Sequence, residues 1–452
     1  VKVKVDDEIL ILAEPLLETV MSKVGKNYKV VEKVKGKNLE GIRYEHPLSE
    51  LFPFHKKLKN AFRVVLSEQF VTLDEGTGLV HTAPGHGQED FKVGMETGLP
   101  AVSPVTMDGK FTEECGKFSG MYVKDADPLI IEELKKRGAL LHEEKISHEY
   151  PHCWRCKSPL LLISVPQWFL KVTSIREKLL EENERVNWIP KWAGQRFRNW
   201  LESLGDWPIS RQRYWGIPLP IWECEKCNHT VVLGSKDEIK EYGGKVPNDL
   251  HKPYIDDVIL VCPKCRGKMH RIPDVLDVWF DSGVCSWASL GYPKRKDLFN
   301  KLWPADLNIE GPDQIRGWWN SQLITSVITF DKAPFKNILF HGFVLDAHGV
   351  KMSKSLGNII TPEEVIEKYG RDVLRFYLLS SPPWEDFYFN MNEVKETARN
   401  FNVLSNTFNF VKTYVDSFEE VELKDLQPED RWIISRVNTL IKEYKDSFKH
   451  YQ

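Results

Sequence analysis

The chain has 452 residues, enough for two or three domains, and its 42% hydrophobic and 28% charged content is that of a soluble globular protein. A formal net charge of −3 excludes bulk basicity as a route to nucleic acid, so any such contact must come from local patches. No apolar run reaches the roughly 18–20 residues of a bilayer span, and the opening VKVKVDDEILIL alternates like a strand without a signal peptide's pattern, which points to an intracellular chain and, starting without Met, to a piece of a longer one.

Residues 1 to about 145 mix short alternating strands (VKVKV, NYKVVEKV, FRVVLSE) with helical stretches at Glu14–Ser22, Gln88–Thr97 and Asp125–Lys136. Between them lies GTGLVHTAPGHGQEDF, Gly76–Phe91, where Pro84, Gly85 and Gly87 predict an irregular loop that turns into a helix. The loop presents His81, His86 and Asp90, which alone read as a hydrolytic pocket, a metal site or a polar turn, the turn being the simplest.

Six of the eight cysteines form CxxC pairs: Cys153/Cys156, Cys224/Cys227 and Cys262/Cys265. In a reducing compartment such pairs are metal ligands more often than disulfides. Cys153/Cys156 alone is half of a tetrahedral site or a structural turn. The other two pairs, separated by residues 228–261, match a four-cysteine zinc ribbon, a structural site since four thiolates leave no open position. Between the first pair and the ribbon, Val165–Trp222 interleaves Trp168, Trp188, Trp192, Trp200, Trp207, Trp215 and Trp222 with Arg185, Arg196, Arg198, Arg211 and Arg213. Such a stretch can stack on bases, or it can be core with arginine stems laid over it.

Further on, DVWFDSG spans Asp277–Gly283, and NIEGPDQIRGWWNS spans Asn308–Ser321. Leu307 and Ile309 predict a strand end that passes through Gly311 and Pro312 into a helix, with Asp313 near its N-terminus either capping it or free to bridge ribose hydroxyls. Phe335–Asn358 reads FKNILFHGFVLDAHGVKMSKSLGN: a buried strand at Ile338–Phe340 delivers His341 and Gly342, and a loop with Lys351 and Lys354 follows. In open α/β sheets ligands sit beyond the carboxyl ends of strands, so this loop is placed for an anionic ligand such as a nucleoside triphosphate. Thr361, Pro362 and Glu364 predict a capping box, Gly370 breaks the helix, a second runs to Ser381, and Pro382–Pro383 mark a boundary. Two long helices, Asn392–Phe418 and Glu429–His450, close the chain.

KMSKSLGN, with HGF ten residues upstream of its first lysine, resembles the signature loop of the class I aminoacyl-tRNA synthetases. WFDSG and EGPDQIRGWW resemble the isoleucyl-tRNA synthetase branch, GTGLVHTAPGHGQEDF the editing domain inserted into its isoleucyl, valyl and leucyl members, and SRQRYWGIPLP the core that follows. The resemblance implies an α/β chain: an editing domain of mixed α/β structure at 1–150, the second half of a Rossmann-type catalytic domain at 151–381 with the zinc ribbon at about 222–272, and the start of a helical anticodon-binding domain at 382–452. It implies a cytoplasmic, monomeric ligase, off the membrane, that uses ATP with Mg2+ to activate isoleucine, transfers it to tRNA(Ile), and hydrolyses misacylated valyl-tRNA(Ile). Editing has a physical cause, since one methylene discriminates by only about 1–3 kcal/mol, a limit for which isoleucine against valine is the standard example.

By the same resemblance Trp279 and Trp318 wall the isoleucine pocket, Glu310, Gly311 and Gln314 hold the adenylate, and Gly311, Asp313, His341, Gly342 and Met352 bind ATP. Lys351 and Lys354 act on its phosphates, and with Asp313 and Gln314 make up the catalytic set. In the editing site Asp90 holds the α-ammonium and His81 lines the side-chain pocket; Arg211 and Arg213 contact the tRNA end. The family's His-x-Gly-His loop, the threonine-rich part of its editing pocket and the partner pair for Cys153/Cys156 do not occur in these 452 residues. The expectation is therefore that this chain alone forms no isoleucyl-adenylate.

Overall fold

Alternation at the start of the chain sets the first core. Val1, Val3 and Val5 point inward and are buried, while Lys2 and Lys4 point out. In the computed structural model, which describes residues 1–153, 155–418 and 420–451, strand Lys2–Val5 pairs antiparallel with both Glu8–Ile11 and Lys29–Glu32. The helix Leu17–Val24 closes over them with Leu17 and Met21. The chain divides into two compact units, Val1–Pro166 and Gln167–Gln452.

A second small core of the first unit joins Leu48, Phe52, Phe54, Cys115, Phe118 and Ala126, under the helix Val123–Lys136. The expected strand FRVVLSE does not form. Asn60 and Phe62 take positive φ, and only an isolated bridge between Arg43 and Arg63 pairs this segment, so no ladder can propagate. The unit runs past the expected boundary near 150 because Ser164 N–H donates to Gly85 O (2.8 Å) and ties the segment after the first CxxC to the irregular loop.

In the second unit three parallel strands form the sheet that positions the site: Ala305–Glu310, then Phe335–Phe340 in the centre, then Asn187–Ile189. Phe335, Ile338 and Phe340 are buried beneath Trp319, Leu323, Ile324 and Val327 of the helix Trp318–Phe330 and beneath Ala193, Phe197 and Leu201 of Lys191–Ser203. Trp188 meets Trp319 edge-on at 5.2 Å, and their indole N–H groups donate to Asn183 (2.9 Å) and Asn308 (3.0 Å). For Trp188 and Trp222, both buried, the core reading of the tryptophan-rich stretch therefore holds, whereas Trp215 is 72% exposed.

The ribbon is a four-stranded antiparallel sheet in the order Leu260–Val261, Lys268–Arg271, Ile221–Cys224, Thr230–Val232. Buried Arg271 braces it, pairing with Asp256 and donating to Leu219 O and Asp274 O. Downstream, Thr361 and Glu364 form the expected capping box of the helix Pro362–Tyr369. That helix, Arg371–Leu378 and the first turn of Met391–Tyr414 share a core of Val365, Val373, Leu374, Tyr377, Phe389 and Val394. Ala398 and Phe401 of Met391–Tyr414 also pack, half-buried, against that core; beyond them that helix and Pro428–Lys449 have no fully buried side chain among the described residues. Among the described residues no helix is long and apolar enough to cross a membrane.

Candidate active site

Two neighbouring parallel strands end in register, Glu310 opposite Phe340, and His341 N–H donates to Glu310 O at 3.0 Å. Glu310–Gly311 and His341–Gly342 consequently leave the carboxyl edge of the sheet side by side. Gly342 has no room for a side chain, and Gly311 has little. A Cβ on Gly311 would sit 3.3 Å from the His341 ring and 3.1 Å from the Asp313 carboxylate, and one on Gly342 would sit 2.2 Å from Glu385 O. The close approach of these backbones is what brings Gly311, Asp313 and His341 together.

After Gly311 the chain makes the short 3-10 helix Pro312–Ile315. Asp313 does not cap the α-helix that follows. Its Oδ2 accepts from Gln314 Nε2 (2.9 Å), and Gln314 Oε1 accepts from Trp318 N–H (2.8 Å), so Gln314 takes over a helix N–H and leaves Asp313 exposed with oxygen lone pairs to spare.

Trp279 lies on the short helix Val278–Gly283, and Trp318 opens the helix Trp318–Phe330. Asp277 caps the former, accepting from Trp279 N–H (3.2 Å), while its other oxygen takes Trp207 Nε1–H (2.9 Å) and the Arg211 guanidinium (2.7 Å). At the crossing with Trp318–Phe330, Gly283 comes so near Ser321 O that a Cβ would lie 2.9 Å from it. Trp318 Nε1–H donates to Ser282 O (2.9 Å) and Thr325 Oγ1 donates to Gly283 O (3.0 Å). The Trp279 ring then lies against Gly317, beside Gln314 Oε1. Trp279, Trp318, Gln314, Asp313, Gly311 and His341 thus form one chain of neighbours along the sheet edge.

Arg211 is committed internally, since it also donates to Pro208 O (2.7 Å) and Ser210 O (2.8 Å); the Arg213 guanidinium has no ion pair or hydrogen bond among the described residues. Asp281, on the same helix as Trp279, keeps a buried Oδ1 without a partner, and burial together with nearby Asp277 pushes its carboxyl above the usual range.

Beyond His341 the lysine loop folds around Asp346. Its Oδ1 accepts from His348 N–H and Val350 N–H, both at 2.9 Å, and its Oδ2 accepts from Asn358 Nδ2 at 2.9 Å. Asn358 Oδ1 in turn takes Ser353 N–H (2.9 Å). The Asn358 amide and these backbone N–H groups hold the Asp346 carboxyl below its ordinary range. The backbone is pinned while the lysines are not: the Lys351 ammonium rests over the Phe343 ring at 5.2 Å, two residues from His341, and exposed Lys354 has no partner among the described residues. Met352 packs on the helical core of Val365 and Tyr377.

In the ribbon, Cys224, Cys227, Cys262 and Cys265 place their sulfurs within 4.8 Å of one another, with Cys224–Cys265 at 3.4 Å and Cys227–Cys262 at 3.7 Å. Burial alone would raise the Cys224 thiol, but the N–H groups of Lys226 and Cys227 and the facing Cys265 outweigh it and hold it at about 6. A thiolate cluster of this size could hold a metal ion. At Cys153/Cys156 the chain makes a turn, Cys153 N–H donating to Ser158 O (2.8 Å) and Cys156 Sγ to Ser158 Oγ (3.3 Å), and no third ligand joins the pair among the described residues.

In the first unit the loop carries His81 and Asp90 without a hydrogen bond between them. Asp90 turns back over Gly87, where a Cβ would meet its Oδ2 at 2.6 Å, and His86 Nδ1 contacts Leu162 O at 3.0 Å. The ring nearest His81 is His46, at 6.4 Å, which the sequence did not single out.

A parallel sheet whose carboxyl edge carries this constellation, followed by a two-lysine loop, is what a nucleotide-activating ligase of the class I type would present. The family model described as "tRNA synthetases class I (I, L, M and V)" matches residues 9–390, and the chain belongs to that family. Within it the chain is similar to proteins named "Isoleucine--tRNA ligase": 52% identical to that of Methanothermobacter marburgensis (97% of this chain, 42% of that protein), and 49% to those of Methanopyrus kandleri (98% and 44%) and Pyrococcus furiosus (100% and 46%). The chain spans less than half the length of these relatives.

Proposed function

We propose that this chain carries the adenylate-forming site of an isoleucine tRNA ligase, which joins isoleucine to ATP as an adenylate and passes it to tRNA(Ile). The observation that carries this reading is the junction of Gly311, Asp313 and His341, continuous with the Trp279–Trp318 wall and two residues from the ring under Lys351. Trp279 and Trp318 offer aromatic faces to the branched side chain, and Gln314 and Glu310 face the adenylate. Asp313 accepts from ribose hydroxyls, and His341 and Gly342 border the base. When the amino-acid carboxylate attacks the α-phosphate, charge builds on the departing pyrophosphate, and Lys351 and Lys354 stabilise it more than the ground state. Mg2+ arrives with the nucleotide. No covalent protein intermediate is needed, so catalysis is positioning and electrostatics.

Zn2+ suits the four thiolates of Cys224, Cys227, Cys262 and Cys265, where it would cross-link the ribbon strands without an open position for chemistry. Cys153/Cys156 is assigned as half of a second such site. Residues 1–150 are read as the editing domain, with Asp90 on the α-ammonium of a misattached valine and His81 at its side chain, and 382–452 as the start of the anticodon-binding helices. The test is calorimetric titration with a non-hydrolysable isoleucyl-adenylate analogue. Binding in preference to the valyl and leucyl analogues, lost in Asp313→Ala, is expected; equal binding to Asp313→Ala would remove the reading.

A further inference from the structure

His81 does not stand alone in its unit. Tyr44 N–H donates to Phe62 O (3.0 Å) and Val64 N–H to Ile42 O (2.9 Å), so the segments 42–44 and 62–64 lie side by side and Phe62 backs onto two imidazoles. His46 and His55 meet edge to face at 4.7 Å, and the Phe62 ring is 5.7 Å from His46 and 5.1 Å from His55. Phe54 and Phe52 close on His55 from the other sides, at 4.5 and 5.4 Å. The outermost ring of this block, His46, is the one that faces His81, at 6.4 Å.

The tautomer of His46 is defined. Leu48 N–H donates to His46 Nδ1 (3.2 Å), which leaves the proton of the neutral ring on Nε2. Burial, with His55 and His81 nearby, lowers His46 to about 4, and burial lowers His55 as well, so both are uncharged near neutrality. His55 Nδ1 is enclosed without a hydrogen-bond partner among the described residues. His55, with Phe52, Phe54 and Phe62 around it, backs His46, and the two half-buried rings present a neutral aromatic surface. A pocket meant to accept a small aliphatic side chain and refuse one a methylene longer needs such a surface, since flexible or charged groups would yield or draw in water.

We propose that His46, backed by His55 and Phe62, is the far wall of the pocket that His81 lines, and that it sets the largest aliphatic side chain the pocket admits. This rests on the editing reading given above. His46 is then a specificity-determining residue and takes no part in bond making.

The experiment compares hydrolysis of valyl-tRNA(Ile) and isoleucyl-tRNA(Ile) by the chain within a full-length protein that also carries the threonine-rich editing segment, its His46→Ala variant and its His46→Phe variant. The wild-type chain should hydrolyse the valyl ester in preference. His46→Ala, which opens far more than a methylene of space, should gain at least about tenfold on the isoleucyl ester while holding its valyl rate within about threefold, and His46→Phe, which refills the volume, should restore the preference. If the wild type hydrolyses neither ester, the editing reading itself falls. If the wild type discriminates and His46→Ala keeps the same ratio with an unchanged melting profile, the wall is wrong and editing stands. Should His46→Ala lose its cooperative melt, His46→Val is read by the same ratio.

Discussion

The sheet edge and the lysine loop lie next to each other in sequence and hold their functional groups in opposite ways. At the edge side chains are bonded into place: Gln314 ties the Asp313 carboxylate to the Trp318 N–H, Ser282 O holds the Trp318 indole, and Asp277 links the Trp279 N–H to the Arg211 and Trp207 side chains. In the loop only the backbone is fixed, through Asp346 and Asn358, while the ammonium of Lys354 has no partner among the described residues and that of Lys351 touches only a ring. Groups that recognise a ground-state ligand bind better when they are already ordered in the free protein, because the ordering cost is met in folding. The unpaired lysines are left free to pair with an anionic ligand, at an ordering cost met on binding.

The largest effect tests the rigid extreme. Chelating the metal from the ribbon, or Cys262→Ser, should unfold residues of about 222–272, because structural zinc supplies on the order of 10 kcal/mol of apparent binding energy to small modules. Elemental analysis should find one zinc per chain before chelation, and melting should lose a transition afterwards. Next comes Asp277→Ala, which removes the cap on Trp279 N–H, leaves the Trp207 indole N–H without its acceptor and takes the carboxylate from Arg211 but not its two carbonyl partners, and should cost about 2 kcal/mol in denaturant unfolding. A change under about 0.5 kcal/mol would mean the edge is not held by this network.

Smaller, at about 1–2 kcal/mol, is the loss of ATP affinity expected for the double variant Lys351→Ala, Lys354→Ala, with the adenylate analogue bound as before because it lacks the pyrophosphate. The stability of both side chains' surroundings should not move, as both are exposed. The smallest effect is local. The Asp346 carboxyl is held below its ordinary value in the folded loop, so its contribution is complete above the usual carboxylate range and fades as the pH falls through the folded value. Amide protection factors at His348 and Val350, taken against the intrinsic exchange rate at each pH, should fall there, and Asp346→Asn should show the same loss of protection at neutral pH.

The ribbon and the capping box were legible because their chemistry is local: two CxxC pairs demand one four-ligand site, and Thr361, Pro362 and Glu364 sit within one turn. The ends of two strands were legible, Leu307 and Ile309 before Gly311 and the apolar run Ile338–Phe340 before His341; the strands themselves begin earlier, at Ala305 and Phe335. What stayed hidden was pairing at a distance. Nothing in the string says that Arg211 answers Asp277 and is therefore spoken for, or that His46 and His55 return to His81. FRVVLSE misled because its β-branched residues carry strand propensity, and two positive-φ residues with a single bridge overrode it. Asp313 was ambiguous until Gln314 was seen to take the helix N–H instead.

The most direct test of the whole account is one set of titrations on the intact chain, with ATP and the isoleucyl-adenylate analogue in parallel, against Asp313→Ala and the double lysine variant. The account predicts that Asp313→Ala loses both ligands while the lysine variant loses ATP alone. A lysine variant that binds ATP as tightly as the parent chain, or an Asp313→Ala that keeps the analogue, would contradict it.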